Sequence, residues 1–554
     1  MRTGSAAFGS LARAALVATL GSAVIAGASR ADVVAGARSP VSWTASASRH
    51  PATTASSGAN ASAAGAPAIG AMVTFGGRGR PVPPAFFGLS MEYNELPTFE
   101  HQGAVFDRVL SMIRPRDGGP MILKLGGKSA DHALWEPKPA PPGVAKPGAH
   151  AATPGGEGPV ASASNWSHGV YTFDQSWLDG LSALVRQENL RVILDLNLAV
   201  HSTTMETRFL KAAVQALPRH GLEAVDVGNE PNQYHFQPSL VQVHVASSNR
   251  ATPTNWWHAY SANDYRHDFT SYARALRAAD PGVTLGAPDI TYPLPDWMTA
   301  VSGLGRLGPR YIAIHMYGSS ICWAPSSPLY PTIPRLLIGS DMTRLQGIIA
   351  KGVEFAHSHG MQMRVTEMNS VSCGGNPGVA DTFATSLWAP DALFTFMKGG
   401  VSGVNMHIRP STVNAPFHFK NGELEPRPEL YGLALFSQMT HGPATLLDST
   451  VTASSPLELK AWAVRKGATT SVLLLNEGTR AADATLKTYA RSRPVTVRRL
   501  TAPRAGAKSG IRFGGQWIGS DGRWHGHEVQ SHASRTADGY RVNVPPYSAA
   551  LITL

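Results

Sequence analysis

Between residues 84 and 442 short apolar runs alternate with longer stretches of helical period. The runs are FFGLSMEYN at 86–94, MILKLGG at 121–127, RVILDLNL at 191–198, AVDVGNEPN at 224–232, TLGAPD at 284–289, YIAIHMYG at 311–318, MRVTEMNS at 363–370 and GVNMHI at 403–408. They are nearly continuously apolar, as parallel strands buried on both faces must be. Segments such as 173–188, 204–217 and 263–279 repeat apolar residues at helical spacing, with Asp174 and Asn263 placed as N-caps of the first and third. Eight strands with helices between them predict a (β/α)8 TIM barrel over 84–441. A doubly wound open sheet is the alternative. It needs a glycine-rich phosphate turn after its first strand, and GLSMEYN is not one. Past 442 the runs shorten, at 457–464, 471–476, 495–500, 540–544 and 548–554, with Gly, Asp and Pro turns between them. That pattern predicts a C-terminal β-sandwich over 442–554. AMVTF at 71–75 sits in a segment, 68–83, expected to lend the sandwich a strand.

The remaining stretches lack this patterning. Arg2 and Arg13, then an apolar run from 14 to 26 and small residues up to Ala31, read as a signal peptide over 1–31. The expectation is a secreted or periplasmic protein with no membrane span after cleavage. Residues 32–67 are mostly Ala, Ser, Gly and Thr, a composition with little to bury, and read as a disordered linker. A Pro-, Gly- and Ala-rich stretch at 137–164 reads as a surface insertion within the barrel.

Composition narrows the classes further. With 554 residues and 43% hydrophobic content the chain can build a sizeable core. Two Cys exclude a disulfide-stapled module. Lys+Arg 48 against Asp+Glu 37 leaves +11, with Arg491, Arg493, Arg498, Arg499, Arg504, Lys508 and Arg512 clustered late. Such a face can attract an acidic polymer or simply be solvated. No zinc finger, RNA-binding sheet motif or recognition helix accompanies it, so nucleic acid is not the expected partner.

In TIM barrels the active site lies where the strands end at their C-termini. The runs here end in Glu92, Gly126-Gly127-Lys128, Asn197, Asn229-Glu230-Pro231-Asn232, Asp289, His315-Met316-Tyr317, Glu367-Met368-Asn369 and Asn405-Met406-His407. Glycosidic cleavage needs two carboxyl groups flanking one bond. Glu230 ends the fourth strand and Glu367 the seventh, which face each other across a closed barrel. A lone glutamate at a strand end is as well explained by a salt bridge or a helix cap. Two at these ordinal positions, one beside an Asn able to bond a sugar 2-hydroxyl, point to catalysis.

VGNEPN at the fourth strand and a Glu at the seventh look like the retaining glycosidases built on (β/α)8 barrels. Glu367-Met-Asn-Ser, Gly374-Gly375, Ala380-Asp381-Thr382-Phe383-Ala384 and Leu387-Trp388 resemble the seventh-strand segment of glycoside hydrolase family 79, the heparanase and β-glucuronidase family. Gly126-Gly127-Lys128-Ser129-Ala130-Asp131 is similar to that family's second-strand motif. The resemblance runs from about Phe87 to the C-terminus. It implies Glu230 as acid/base and Glu367 as nucleophile. It implies that Glu92 and Asp131 hold sugar hydroxyls, that Gly374 and Gly375 offer backbone amides to a uronate carboxylate, and that Tyr317 bonds the nucleophile. Family members also carry a Tyr before the glycine pair, where Ser372-Cys373 stands here, and a second near the eighth strand. Arg409 is a charged candidate for the carboxylate, or a partner in an ordinary salt bridge.

Cys322 and Cys373 follow neighbouring strands, so a disulfide across the rim is expected, with two buried thiols the alternative. His315 and His407 lack metal-ligand spacing, and neither a metal nor a cofactor is expected. Trp135, Trp256, Trp257 and Trp323 are candidates for sugar stacking or for packing, and His201 for a subsite. The function expected is a retaining β-glucuronidase acting on conjugates or acidic oligosaccharides. The alternatives are a glycosidase for a neutral sugar and a noncatalytic carbohydrate- or polyanion-binding protein.

Overall fold

The computed structural model describes residues 67–114, 119–137, 170–237, 240, 259–410, 412–488 and 494–554. The leader, nearly all of the linker and of the 137–164 insertion, Trp256, Trp257, Arg491 and Arg493 lie outside the described residues.

Eight parallel strands close into a barrel. In chain order they are Phe87–Glu92, Met121–Gly126, Leu190–Leu196, Leu222–Val227, Leu285–Thr291, Tyr311–Ser320, Gln362–Ser372 and Val404–His407. Their alternation explains what the barrel holds. Leu123 and Leu125, Val192 and Leu194, and Val225 and Val227 point outward into the core shared with the helices. Ile122, Ile193 and Ala224 point inward and form a small apolar floor with Tyr311 and Ala313. Two residues further along the same strands the inward positions are Lys124, Asp195 and Asp226, all buried. The barrel is therefore filled by a charged layer above an apolar one. Gly126 makes room for it, since a Cβ there would lie 1.7 Å from Asp195 Oδ2.

Helix ends follow local chemistry. The Asp174 carboxylate accepts from Ser176 N at the start of helix Gln175–Glu188. Helix Ala262–Ala279 is capped by Ser261, which forms a capping box with Asp264, and not by Asn263 as the pattern suggested. The hydroxyl two residues earlier has the Asp three positions on that a capping box requires.

The C-terminal part is an eleven-stranded sheet curled into a sandwich. Ile69–Pro81 joins it, antiparallel to Thr445–Ala453 and parallel to Ala482–Lys487. Neither partner was picked out from the sequence, although Ala482, Ala484 and Leu486 alternate with Asp483, Thr485 and Lys487 and are buried. Along Thr469–Asn476, Val472 and Leu474 enter the sandwich core while Leu473 and Leu475 face the barrel. Ala461 and Ala463 against Trp462 and Val464 divide in the same way. Trp462 stacks on Phe394 at 5.5 Å and donates to Asp391 at 3.0 Å, which joins the sandwich to helix Phe383–Lys398. Among the described residues no helix is long and apolar enough to cross a membrane.

One buried acid is expected to make stability pH-dependent. Glu429, in the first turn of helix Pro428–Thr440, is pushed up to about 8 by burial. The unfolded chain ionises that group near its ordinary value of about 4.3. The fold keeps the proton until about 8, so stability falls as pH rises through that window. Glu429→Gln is expected to raise the thermal midpoint at pH 8 and change it little at pH 4. Equal shifts at both would show that the carboxyl does not titrate in this way.

Candidate active site

Glu230 leaves the fourth strand in a strained turn. Gly228 has φ +78° and Glu230 φ +45°, in the left-handed region that a side-chain-bearing residue adopts only when its surroundings hold it. Its amide donates to Asp289 O at 2.9 Å, and the turn runs on into the 3-10 helix Pro231–Phe236. Glu367 lies on the seventh strand, at a break in register between Val365 and Glu367. The fold brings both glutamates to one point, with an oxygen of each within 4.8 Å of the other.

Between and beneath them sits His315. Its Nδ1 is 2.8 Å from Glu230 Oε1 and 3.9 Å from Glu367 Oε2. Its Nε2 is 3.2 Å from Asp289 Oδ1 and 3.4 Å from Lys124 Nζ. Lys124 in turn lies 2.9 Å from both Asp195 Oδ2 and Asp289 Oδ2. Burial opposes charge on His315, but Asp289 and Glu367 outweigh it and raise its pKa well above the ordinary value. Burial alone would likewise raise Glu367. The facing His407, His315 and Lys124 and a 2.5 Å hydrogen bond from Tyr317 overcome that and bring it down to about 2. Glu367 is thus an ionised carboxylate across the working pH range of most enzymes, and Tyr317 stands where the resemblance implies.

Among the described residues two clusters are close enough to ligate an ion, Glu230–His315–Glu367 and Asp195–Asp226–Asp289. In the first, Nδ1 of His315 lies 2.8 Å from Glu230 Oε1. In the second, the Lys124 ammonium sits against two of the three carboxylates.

Other expected residues fall differently. Asp131 is 1% exposed. Its Oδ1 accepts from Leu198 N at 2.9 Å and Ala199 N at 3.3 Å, and its Oδ2 from Asn229 N at 3.0 Å and Tyr234 OH at 2.7 Å. Burial pushes this carboxyl up to about 6, with those bonds restraining the rise. Asn229 is buried with its Oδ1 lacking a donor among the described residues, an acceptor in place for a hydroxyl. Glu92 is buried and accepts from Ser129 N at 2.7 Å. Arg409 takes the salt-bridge alternative, with Nε 3.6 Å from Glu95 Oε1.

Gly374 and Gly375 adopt φ +89° and +92°, and a Cβ on Gly375 would meet Asn414 N at 2.7 Å. The Gly375 amide is directed at Ser372 O, 3.5 Å away. Cys322 and Cys373 form a disulfide, Cα–Cα 6.1 Å, linking the sixth- and seventh-strand loops. Beside it Trp323 is 49% exposed at the rim. Trp135 instead packs on Phe173 and Phe209, and His201 faces Asp268 at 3.5 Å.

A closed barrel with facing glutamates on the fourth and seventh strands, joined to a sandwich, is the architecture of a glycoside hydrolase. Residues 461–551 match the model of the glycosyl hydrolase family 79 C-terminal beta domain, in agreement with the family resemblance of the seventh-strand segment. No curated protein matches the chain in sequence. Among solved structures it is similar to a 4-O-α-L-rhamnosyl-β-D-glucuronidase of Fusarium oxysporum 12S in complex with Rha-GlcA. That likeness has TM-score 0.67 and 17% identity, over 87% of this chain and 100% of that one. It is also similar to a family 51 arabinofuranosidase of Xanthomonas axonopodis pv. citri, with TM-score 0.59 and 13% identity over 88% and 99% of the two chains. An α-L-arabinofuranosidase of Thermotoga maritima gives TM-score 0.58 and 14% identity over 88% and 99%. At these identities the likeness is one of fold.

Proposed function

We propose that the protein is an exported, retaining β-glycosidase that removes β-linked glucuronic acid from conjugates or oligosaccharides. The observation that carries the reading is the approach of the Glu230 and Glu367 oxygens to within 4.8 Å. Retaining enzymes hold their carboxyl groups about 5–5.5 Å apart, whereas inverting ones leave room for a water between them. Glu230 gives its proton to the glycosidic oxygen as Glu367 attacks C1, so that the C1–O bond breaks as an ester bond forms. Glu230 then takes a proton from the water that cleaves the ester. Asn229 Oδ1 accepts from the 2-hydroxyl. The choice of uronate is supported by the family 79 domain and by the β-glucuronidase among the fold neighbours.

A second reading, a neutral β-glycoside, is favoured by the Arg409–Glu95 pair. Matched aryl β-glucuronide and β-glucoside substrates separate the two. The expected result is glucuronide turnover releasing the β-anomer first, followed by NMR. Glucoside turnover alone selects the second reading. Release of the α-anomer first overturns the retaining mechanism.

A further inference from the structure

We propose that Asp131 is a positioning residue for the general acid, a clamp that fixes the Glu230 turn, and not a ligand for the sugar. This rests on the glycosidase reading above.

The geometry leaves Asp131 little else to do. It follows the second strand, in the 3-10 turn Gly127–His132. One oxygen holds the amides of Leu198 and Ala199 beyond the third strand. The other holds Asn229 N and Tyr234 OH, one residue before Glu230 and four after it. A single buried carboxylate thus ties the exits of three adjacent strands together and brackets the acid on both sides. Four donors use the lone pairs of its two oxygens, and the side chain is buried.

The bracketed segment needs such a hold. Glu230 has φ +45° and ψ +50°, a conformation that persists only when neighbours over-determine it. The hold on the far side is the Glu230 N bond to Asp289 O. Proton donation requires the carboxyl within hydrogen-bond reach of the leaving oxygen, so a relaxed turn loses general acid catalysis before it loses sugar binding.

Leaving-group dependence distinguishes this role from a structural or sugar-binding one. The test uses Asp131→Asn and the milder Tyr234→Phe, with phenyl and 2,4-dinitrophenyl glycosides of whichever sugar the wild type accepts. A dinitrophenolate departs without protonation, whereas phenolate needs the acid. Asp131→Asn is expected to lower kcat/KM for the phenyl glycoside about 100-fold, within the range general acid catalysis supplies. For the dinitrophenyl glycoside kcat/KM stays within about threefold, while kcat falls because ester hydrolysis still needs Glu230, and added azide restores it. Tyr234→Phe shows the same pattern at smaller amplitude and decides the matter if Asp131→Asn does not fold. Equal losses on both substrates, or no effect of azide, overturn the inference. A wild type inactive on every glycoside overturns instead the reading on which it rests.

Discussion

Glu367→Ala is expected to abolish turnover, with kcat/KM down about 10^4-fold or more on every glycoside the protein hydrolyses. The side chain is the acceptor of the glycosyl group: Tyr317 donates to it, and His407 and His315 lie 3.6 and 3.9 Å from it without being able to take its place. Leaving-group acidity will not rescue this variant, unlike those that weaken the acid. The loss should be of kcat, with binding of a substrate or product surviving in calorimetry, since Asn229 and Glu92 do not depend on the Glu367 carboxylate. A fall of less than about tenfold would remove Glu367 from the role of nucleophile. Formate or azide at high concentration entering the vacated space and giving the inverted glycosyl product would fix which face Glu367 attacks.

Chain patterning made the outline of this molecule legible. Eight apolar runs marked eight barrel strands because strands buried on both faces must be apolar nearly throughout. Glu230 and Glu367 were legible because strand ends converge in a barrel whatever the intervening sequence. The side chains beneath them were not singled out, although a signal existed. Lys124 in MILKLGG, Asp195 in RVILDLNL and Asp226 in AVDVGNE each interrupt an apolar run near its C-terminal end, at alternating positions that point inward. A charge inside a doubly buried strand has to be paired, and only neighbouring strands of the same barrel can supply the partner. Asp131 shows a related limit of motif reading. Motif position says that a carboxylate stands near the sugar site, but not which donors its oxygens meet, and here backbone amides of two other loops take them. Arg409 shows the same limit, because Glu95, 3.6 Å from its Nε, lies outside the motif that drew attention to it.

Lys124→Met is expected to destabilise the fold by about 3–5 kcal/mol, the loss typical when one partner of a buried ion pair is removed. Lys124 Nζ is the cation set between Asp195 and Asp289, all three with side chains 0% exposed, and Asp226 lies close enough to add its charge. Without the ammonium, Asp289 keeps His315 and Thr366 as partners, but Asp195 loses its cation, and burial already pushes Asp195 well above the usual carboxylate range. The penalty should therefore fall mainly on Asp195. Adding Asp195→Asn to Lys124→Met should recover a measurable part of the loss, whereas Asp195→Asn alone leaves Lys124 with Asp289 and should cost less than the lysine change. Urea unfolding of the three variants gives the coupling energy directly. Additive losses would mean that the Lys124–Asp195 contact carries no net energy and that the lysine acts only by filling space. A large coupling would identify the charged layer as the fixed support on which His315, and through it both glutamates, rests.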